Sequence, residues 1–481
     1  MNLLFIGISI LGMSQVNIKL DGVQKNSEIT TNEINRFIFT NSINEIKLSE
    51  VKTKDGVYTK VEVPEYITNN DIGNPDLPVL SKLIEAPLFY KDVVININVK
   101  KTHSININDY GIEKLVVPAQ PSLKKNQDKA SVPFEKNPKI YTDGEYYESR
   151  LVKIENIGKL RGVQIAQLLI SPFSYDVESN TLDIISEVEV EIVFKGGDIA
   201  ETQKMKQDKY SPAFDKIYKK LWNYRQSNTK DELSQYPIKY VIISNRMFEE
   251  TLQPFIEWKT KKGFNVVTAY TDEIGTTTAN IKSYMQNLYD AGTTNDPAPS
   301  YLLIVGDVAQ VATTQITGSD QHPSDMYYCE FDGGSDYIPE MFFGRFSATT
   351  VEQLEPQIEK TLMYEQYTFP DPTFLENAVL VGGNDSYWAT THANGQMNYF
   401  NSLYLNTEHG VNTTKYLHPA SNSQRNAIIS SINTGASIVN YTAHCGEDGW
   451  AGPNFVVSDV PNLTNNDKYF FSIGNCCLSN K

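Results

Sequence analysis

The chain has 481 residues, length for two to four domains and a large buried core. Its 58 acidic residues outnumber 42 basic ones, a net charge of −16, which excludes a nucleic-acid binder, because phosphate neutralisation needs clustered Lys and Arg. A hydrophobic share of 40% with 21% charged residues excludes a largely disordered chain, and 4 Cys are too few to staple a fold of this size.

The opening segment, Leu3 to Met13, is an uncharged apolar run too short to span a bilayer. Gly12 and Ser14 stand two apart before Gln15, so residues 1–14 read as a signal peptide; the missing positive charge keeps an ordinary buried strand as the other reading. No later segment approaches about 18 consecutive apolar residues, so no membrane span is expected in the mature chain. The expected location is secreted or cell-surface.

Residues 15–195 read as strands. Ile46 to Val51, Val57 to Val63, Val93 to Val99, Val163 to Ile170 and Leu182 to Phe194 alternate apolar and polar positions, with Asn, Asp, Gly and Pro clusters between them. This stretch has no Cys and only His103, so it reads as an all-β sandwich or barrel that binds, covers or assists something. Residues 196–237 turn polar and read as a linker or processing region, with Arg225 and Lys230 as its basic sites.

From residue 238 to the end, short continuous apolar strands alternate with helical spacing. The strands are Lys239 to Ser244, Asn265 to Tyr270, Tyr301 to Asp307, Met341 to Phe346, Asn377 to Gly383, Ala436 to Ala443 and Tyr469 to Gly474. Phe248 to Gly263 and Ile281 to Leu288 carry helical spacing, and Thr350 with Gln353 opens another helix that Pro356 should kink or shorten. The pattern predicts an α/β half with a doubly wound, mostly parallel sheet covered on both faces. In such sheets reactive groups gather beyond the carboxyl ends of the strands.

Two strands are followed at once by reactive side chains: "SIVNYTA" by His444-Cys445-Gly446, and "YFFSIGN" by Cys476-Cys477. A thiol nucleophile needs an imidazole that takes its proton and later protonates a leaving amine. A His and a Cys at the ends of adjacent parallel strands would meet that need.

With these residues in view, "SIVNYTAHCGEDGWAGPNF" and "YFFSIGNCCLSNK" resemble the catalytic core of the gingipain family of cysteine peptidases, which have a caspase-like α/β fold. "YLLIVGDVAQV" and "EMFFGRFSATTVEQLEPQIEKTLMYEQ" are similar to earlier blocks of that family, and residues 15–195 resemble its propeptide more weakly. The resemblance implies a cysteine endopeptidase in zymogen form, acting on protein or peptide substrates, with its own N-terminal propeptide as intramolecular inhibitor. It implies Cys477 as nucleophile, His444 as acid and base, and Glu340 as the carboxylate orienting the imidazole. The N–H groups of Cys477 and of the residue after His444 would stabilise the oxyanion. It also implies that residues 238–481 are a catalytic domain cut short at its C-terminal end. No cofactor is required for the chemistry, and calcium is expected at most as a structural ion.

Other readings stay open on the residues alone. Cys476 is the alternative nucleophile, a Cys445–Cys476 bridge is open, and a zinc site from His444, Cys445, Cys476 and Cys477 lacks the usual ligand spacing. Cys445 departs from the Gly that follows the catalytic His in many relatives. Asp332 to Asp336, with Asp320 and Asp325 upstream, offer oxygen ligands for calcium or form a solvated turn. His392, His409 and His418 read as surface or satisfied histidines, and Trp450 as a pocket wall or a packing residue. Asp325, Asp336, Glu447 and Asp448 are equal candidates for a carboxylate that selects basic substrates. A scaffold that has lost catalysis and serves in binding, secretion or adhesion is the rival function.

Overall fold

The computed structural model describes residues 15–23, 27–123, 131–226, 238–317, 321–334, 336–385, 388–419 and 422–477. The expected leader at 1–14, Lys230 and Asp320 lie outside them. The chain divides into two compact units, one of residues 1–240, 283–301 and 328–342, the other of residues 241–282, 302–327 and 343–481.

The first unit is dominated by antiparallel strands. Gln15–Lys19, Glu45–Thr53 and Gly56–Glu62 form one sheet. A second contains Val152–Leu160, Val163–Ile170, Pro78–Ala86 and Ile67–Thr68. In the third, the long strand Thr181–Lys195 pairs with Arg36–Ser42, Phe173–Asp176 and Asp92–Asn106. Strict alternation along Thr181–Lys195 turns Leu182, Ile184, Ser186, Val188, Val190, Ile192 and Phe194 inward. Leu182 and Ile184 join Ile46, Leu48 and Val61 in one core, whereas Val188, Val190 and Ile192 join Phe37, Leu168 and Ile170 in another. One strand thus serves two cores, and each such buried side chain contributes about 1.5–3 kcal/mol. Between the two groups, Ser186 Oγ lies 2.8 Å from His103 Nδ1 and donates to Lys101 O, so the polar break is satisfied. Side chains from different sheets meet in each core, and the strands are mostly antiparallel, as the alternation predicts.

Residues 196–226, expected as a linker, are folded. Helix Ile199–Asp208 is capped by Asp198, and Phe214, Tyr218 and Leu221 are buried against Leu160, Val163 and Ile165. The polar composition misled because these few apolar side chains, spaced for a short turn and helix, carry the packing.

The α/β part holds two four-stranded sheets rather than one. Strand order in the first is Phe264–Tyr270, Ile238–Ser244, Tyr301–Val305 and Phe342–Phe346. In the second it is Asn412–Tyr416, Asn377–Gly382, Ile438–Thr442 and Phe471–Asn475, all parallel. Apolar runs reveal strands buried on both faces but not which neighbours they choose, so the sequence does not separate the sheets. Helix Val351–Gln366 runs through Pro356 without being shortened, and Leu354 and Ile358 are buried as expected. Thr350 makes no side-chain cap; Gln353 Oε1 instead accepts from Thr349 N.

Candidate active site

In the second parallel sheet the chain lays down Asn377–Gly382, moves to one side for Asn412–Tyr416, then crosses to the other side for Ile438–Thr442. Such a reversal of strand order marks the position, at the carboxyl ends of the strands, where α/β sheets collect ligands. Asp385, His444 and Cys477 each follow a strand of this sheet by two or three residues.

Strands Ile438–Thr442 and Phe471–Asn475 are in register, with Thr442 opposite Asn475. His444 and Cys477 therefore leave their strands at the same level, and neighbouring strands lie about 4.8 Å apart. The disulfide Cys445–Cys476, with Cα atoms 5.3 Å apart, keeps the two segments side by side past the last paired residues. Successive Cα atoms are about 3.8 Å apart, so the Cα atoms of His444 and Cys477 are separated by no more than about 13 Å. Cys477 is a free, exposed thiol.

The backbone at His444 is fixed from two sides: its carbonyl accepts from Tyr441 Oη at 2.8 Å and from Ala451 N at 2.9 Å. Tyr441 stacks on Trp450 with ring centroids 4.3 Å apart, beside Phe455, so Trp450 packs behind the His444 loop. The imidazole Nε2 lies 2.7 Å from Asp385 Oδ2, and the Asp385 side chain is 4% exposed. Trp388 N donates to Asp385 Oδ1 at 2.7 Å, so the carboxylate cannot swing away. With Nε2 toward the carboxylate, Nδ1 is the nitrogen left for proton exchange with a thiol. Gln396 Oε1 accepts from Thr442 Oγ1 and from Asn475 Nδ2, a further bridge between the two strand ends.

Asp385 was not among the expected site residues. It stands just past the apolar run "NAVLVGG", so the strand-end rule that flags His444 and Cys477 flags it as well. Glu340, expected beside the imidazole, is fully buried and accepts from Arg161 N and from Tyr289 Oη. Burial, together with the nearby Asp332 carboxylate, pushes the Glu340 carboxyl well above its ordinary range. Its Oε1 is buried without a hydrogen-bond partner among the described residues.

The remaining candidates sort by their partners. Cys445 and Cys476 are bonded to each other, which removes both as zinc ligands and removes Cys476 as the nucleophile. Cys329 is fully buried. Asp332 pairs with Lys159 Nζ at 2.9 Å, while Asp336 accepts from Lys159 N and Ile338 N. Among the described residues no group of three or more His, Cys, Asp and Glu is arranged to hold a metal ion. Asp325 is held by the Arg345 guanidinium through two nitrogens, at 2.8 and 2.6 Å, which spends its charge. Glu447 and Asp448 stay exposed in the hairpin after His444. His392 lies against Trp388 with tilted rings, His409 contacts Asn406 and His418 contacts Asn384, so each has a local partner. Arg225 is pinned: its N–H and guanidinium reach Glu85, and its Nη1 donates to Glu33 O at 2.6 Å.

The Peptidase family C25 model matches residues 233–481, and the C25 propeptide model matches residues 30–222. Lys-gingipain of Porphyromonas gingivalis is 36% identical over 483 residues, covering 99% of this chain and 28% of that protein. Gingipain R1 of the same organism is 24% identical over 440 residues, covering 90% of this chain and 42% of that protein. The chain thus spans less than half the length of these relatives. Among solved structures, one reported for the zymogenic latency of gingipain K from Porphyromonas gingivalis is 32% identical, covering 38% of this chain and 100% of that one, with a TM-score of 0.36. The Arg-specific cysteine proteinase gingipain R is 27% identical, covering 52% and 56%, with a TM-score of 0.45.

Proposed function

Because the chain belongs to peptidase family C25, we propose that it is the latent form of a cysteine endopeptidase with Cys477 as nucleophile, His444 as acid and base, and Asp385 as the orienting carboxylate. The support is one arrangement: an exposed thiol and an imidazole at the in-register ends of neighbouring parallel strands, with a buried carboxylate 2.7 Å behind the imidazole. In this reading His444 Nδ1 takes the Cys477 proton and the thiolate attacks the substrate carbonyl carbon. The N–H groups of Cys445 and Cys477 receive the oxyanion, His444 protonates the departing amine, and water then hydrolyses the thioester. Asp385 holds Nε2 and balances the imidazolium charge while it exists. Glu340, bound to Arg161 and Tyr289, takes no part in the chemistry.

The substrates are proteins or peptides. Lys-gingipain is named for lysine, and the exposed Glu447 and Asp448 beside His444 make lysyl peptides the first substrates to try. The propeptide-like part acts as the intramolecular inhibitor, and the protein works outside the cell or on its surface. An intact disulfide beside the site fits an oxidising compartment. Among the described residues no helix is long and apolar enough to cross a membrane. A calcium ion, if bound, would be structural: Glu340 Oε1 and the Asp332 carboxylate are hard oxygen donors, and the ion would relieve their mutual repulsion.

The test is to label the processed protein with a lysyl chloromethyl ketone and map the modified residue. Modification of Cys477, with cleavage abolished in Cys477→Ala, is expected. Modification elsewhere, or cleavage that survives Cys477→Ala, would overturn the assignment.

A further inference from the structure

We infer that the Cys445–Cys476 disulfide is a positioning clamp for the catalytic pair, and that a reductant able to open it lowers turnover while leaving Cys477 a free thiol. The inference rests on the reading of His444 and Cys477 given above. Cys445 directly follows His444 and Cys476 directly precedes Cys477, so one covalent bond joins the immediate neighbours of both groups. The same bond flanks both N–H groups assigned to the oxyanion.

The two sides of this clamp are held by different contacts. His444 has its carbonyl bonded twice and its ring against Asp385, and Cys445 lies in a hairpin opposite Trp450. Cys477 follows Phe471–Asn475, which pairs with Ile438–Thr442. That ladder ends at the Thr442–Asn475 pair, before Cys477 is reached. Cys476 packs against the cluster around Tyr441 and Ala443, on the same side as Trp450. The disulfide is therefore a covalent tie, beyond the last paired residues, between the nucleophile's segment and the anchored His444 loop. Catalysis depends steeply on such placement, since an error of about 1 Å in a reacting group can cost about a hundredfold in rate.

Opening the clamp needs a dithiol reductant. One thiolate of the dithiol attacks a sulfur of the Cys445–Cys476 bond, and its second thiol displaces the mixed disulfide. The reductant leaves as a cyclic disulfide; Cys445 and Cys476 take two electrons and two protons and become thiols. Cys477 is unchanged throughout.

The experiment uses the full chain, nicked between the two matched stretches to relieve latency, as wild type, Cys445→Ser, Cys476→Ser and the double variant, with non-reducing peptide mapping, kcat and KM on a lysyl peptide, and the rate of Cys477 alkylation by iodoacetamide. Mapping of the oxidised wild type should recover the Cys445–Cys476 linked peptide. The double variant should lose about tenfold to a hundredfold in kcat, with KM changed by less than about threefold. Dithiol treatment of the folded wild type should give the same loss, reoxidation should restore kcat, and the double variant should not respond to the reductant. This reversible arm stands even where a substituted chain fails to fold. A double variant with kcat within about twofold of the oxidised wild type would overturn the clamp. So would free thiols at Cys445 and Cys476 in protein purified without reductant. Should no form cleave peptides, the peptidase reading fails, and alkylation alone decides the clamp. A shift of about fivefold or more in the Cys477 rate on opening the disulfide supports it, and equal rates refute it.

Discussion

Arg161 offers the sharpest test of how the propeptide-like part grips the rest of its unit. Arg161 and Gly162 form the two-residue loop between paired Leu160 and Val163, both with positive φ, at 49° and 75°. A left-handed arginine is an unusual choice for such a turn, and the reason is its side chain, which is fully buried. Nε donates to Lys209 O at 2.8 Å, and Nη1 donates to Pro299 O at 2.6 Å and Glu340 O at 2.8 Å. Nη2 donates to Ala298 O at 3.2 Å, and the guanidinium lies 5.1 Å from the Phe214 ring centroid. Arg161 belongs to the stretch matched by the propeptide model, and residues 298, 299 and 340 to the stretch matched by the peptidase model. Replacement by Met keeps the stem and removes every donor, leaving four buried carbonyls short of a partner. Each orphaned acceptor costs about 1–3 kcal/mol before water repairs it, and loss of a buried charged partner costs about 3–5 kcal/mol in total. Arg161→Met should therefore lower the stability of this unit by about 3–5 kcal/mol in urea unfolding. Once the chain is nicked between the two matched stretches, retention of the propeptide part in size-exclusion chromatography should weaken by two to four orders of magnitude. Arg161→Lys should recover only part of this, since one ammonium cannot reach acceptors spread across a planar fork. A loss below about 1 kcal/mol for Arg161→Met, with retention unchanged, would refute the reasoning.

Asp385→Asn should reduce kcat/KM by about tenfold to a hundredfold or more, the value of a charged contact to the imidazole, while Glu340→Gln should leave kcat/KM near wild type; the reverse ranking in peptide-cleavage kinetics would return the orienting role to Glu340. Because the folded Glu340 carboxyl titrates above its ordinary 4.5, its contribution is present below that pH and is lost as pH rises through the folded value. In EDTA, unit stability should therefore fall with rising pH, and Glu340→Gln should flatten the slope. Calcium added to wild type at neutral pH should raise the melting temperature if Glu340 and Asp332 hold the ion, and an unchanged Tm would dismiss that site. The Arg225–Gln226 bond should resist trypsin, because Arg225 is tied to Glu85, Glu33 and, through its carbonyl, Lys206. Glu85→Gln should expose that bond, as mass spectrometry of timed digests would show, and rapid cleavage of the wild type after Arg225 would contradict the pinning.

Much is legible in the chain itself. The alternation in Thr181–Lys195 specified a half-buried strand because side chains repeat every two residues, and the continuous apolar runs at Ile238–Ser244, Tyr301–Val305, Asn377–Gly382 and Ile438–Thr442 specified buried strands. His444 and Cys477 could be singled out because reactive residues directly after such runs sit at the carboxyl edge of a parallel sheet. What the chain could not announce was pairing between distant side chains. Asp385 carries the same strand-end signal, yet only the strand order that sets Asn377–Gly382 beside Ile438–Thr442 brings it against His444. Glu340 lies next to its strand just as plausibly, but hydrogen bonds from Arg161 and Tyr289, both far away in sequence, hold it elsewhere. Likewise the choice among three clustered cysteines waited on the fold: the hairpin that pairs Cys445 with Trp450, stacked on Tyr441, turns Cys445 back to Cys476, and the free thiol is Cys477. Local periodicity is written in the chain because it depends on neighbours along it; partners across the fold depend on which strands lie side by side, and tertiary packing alone decides that.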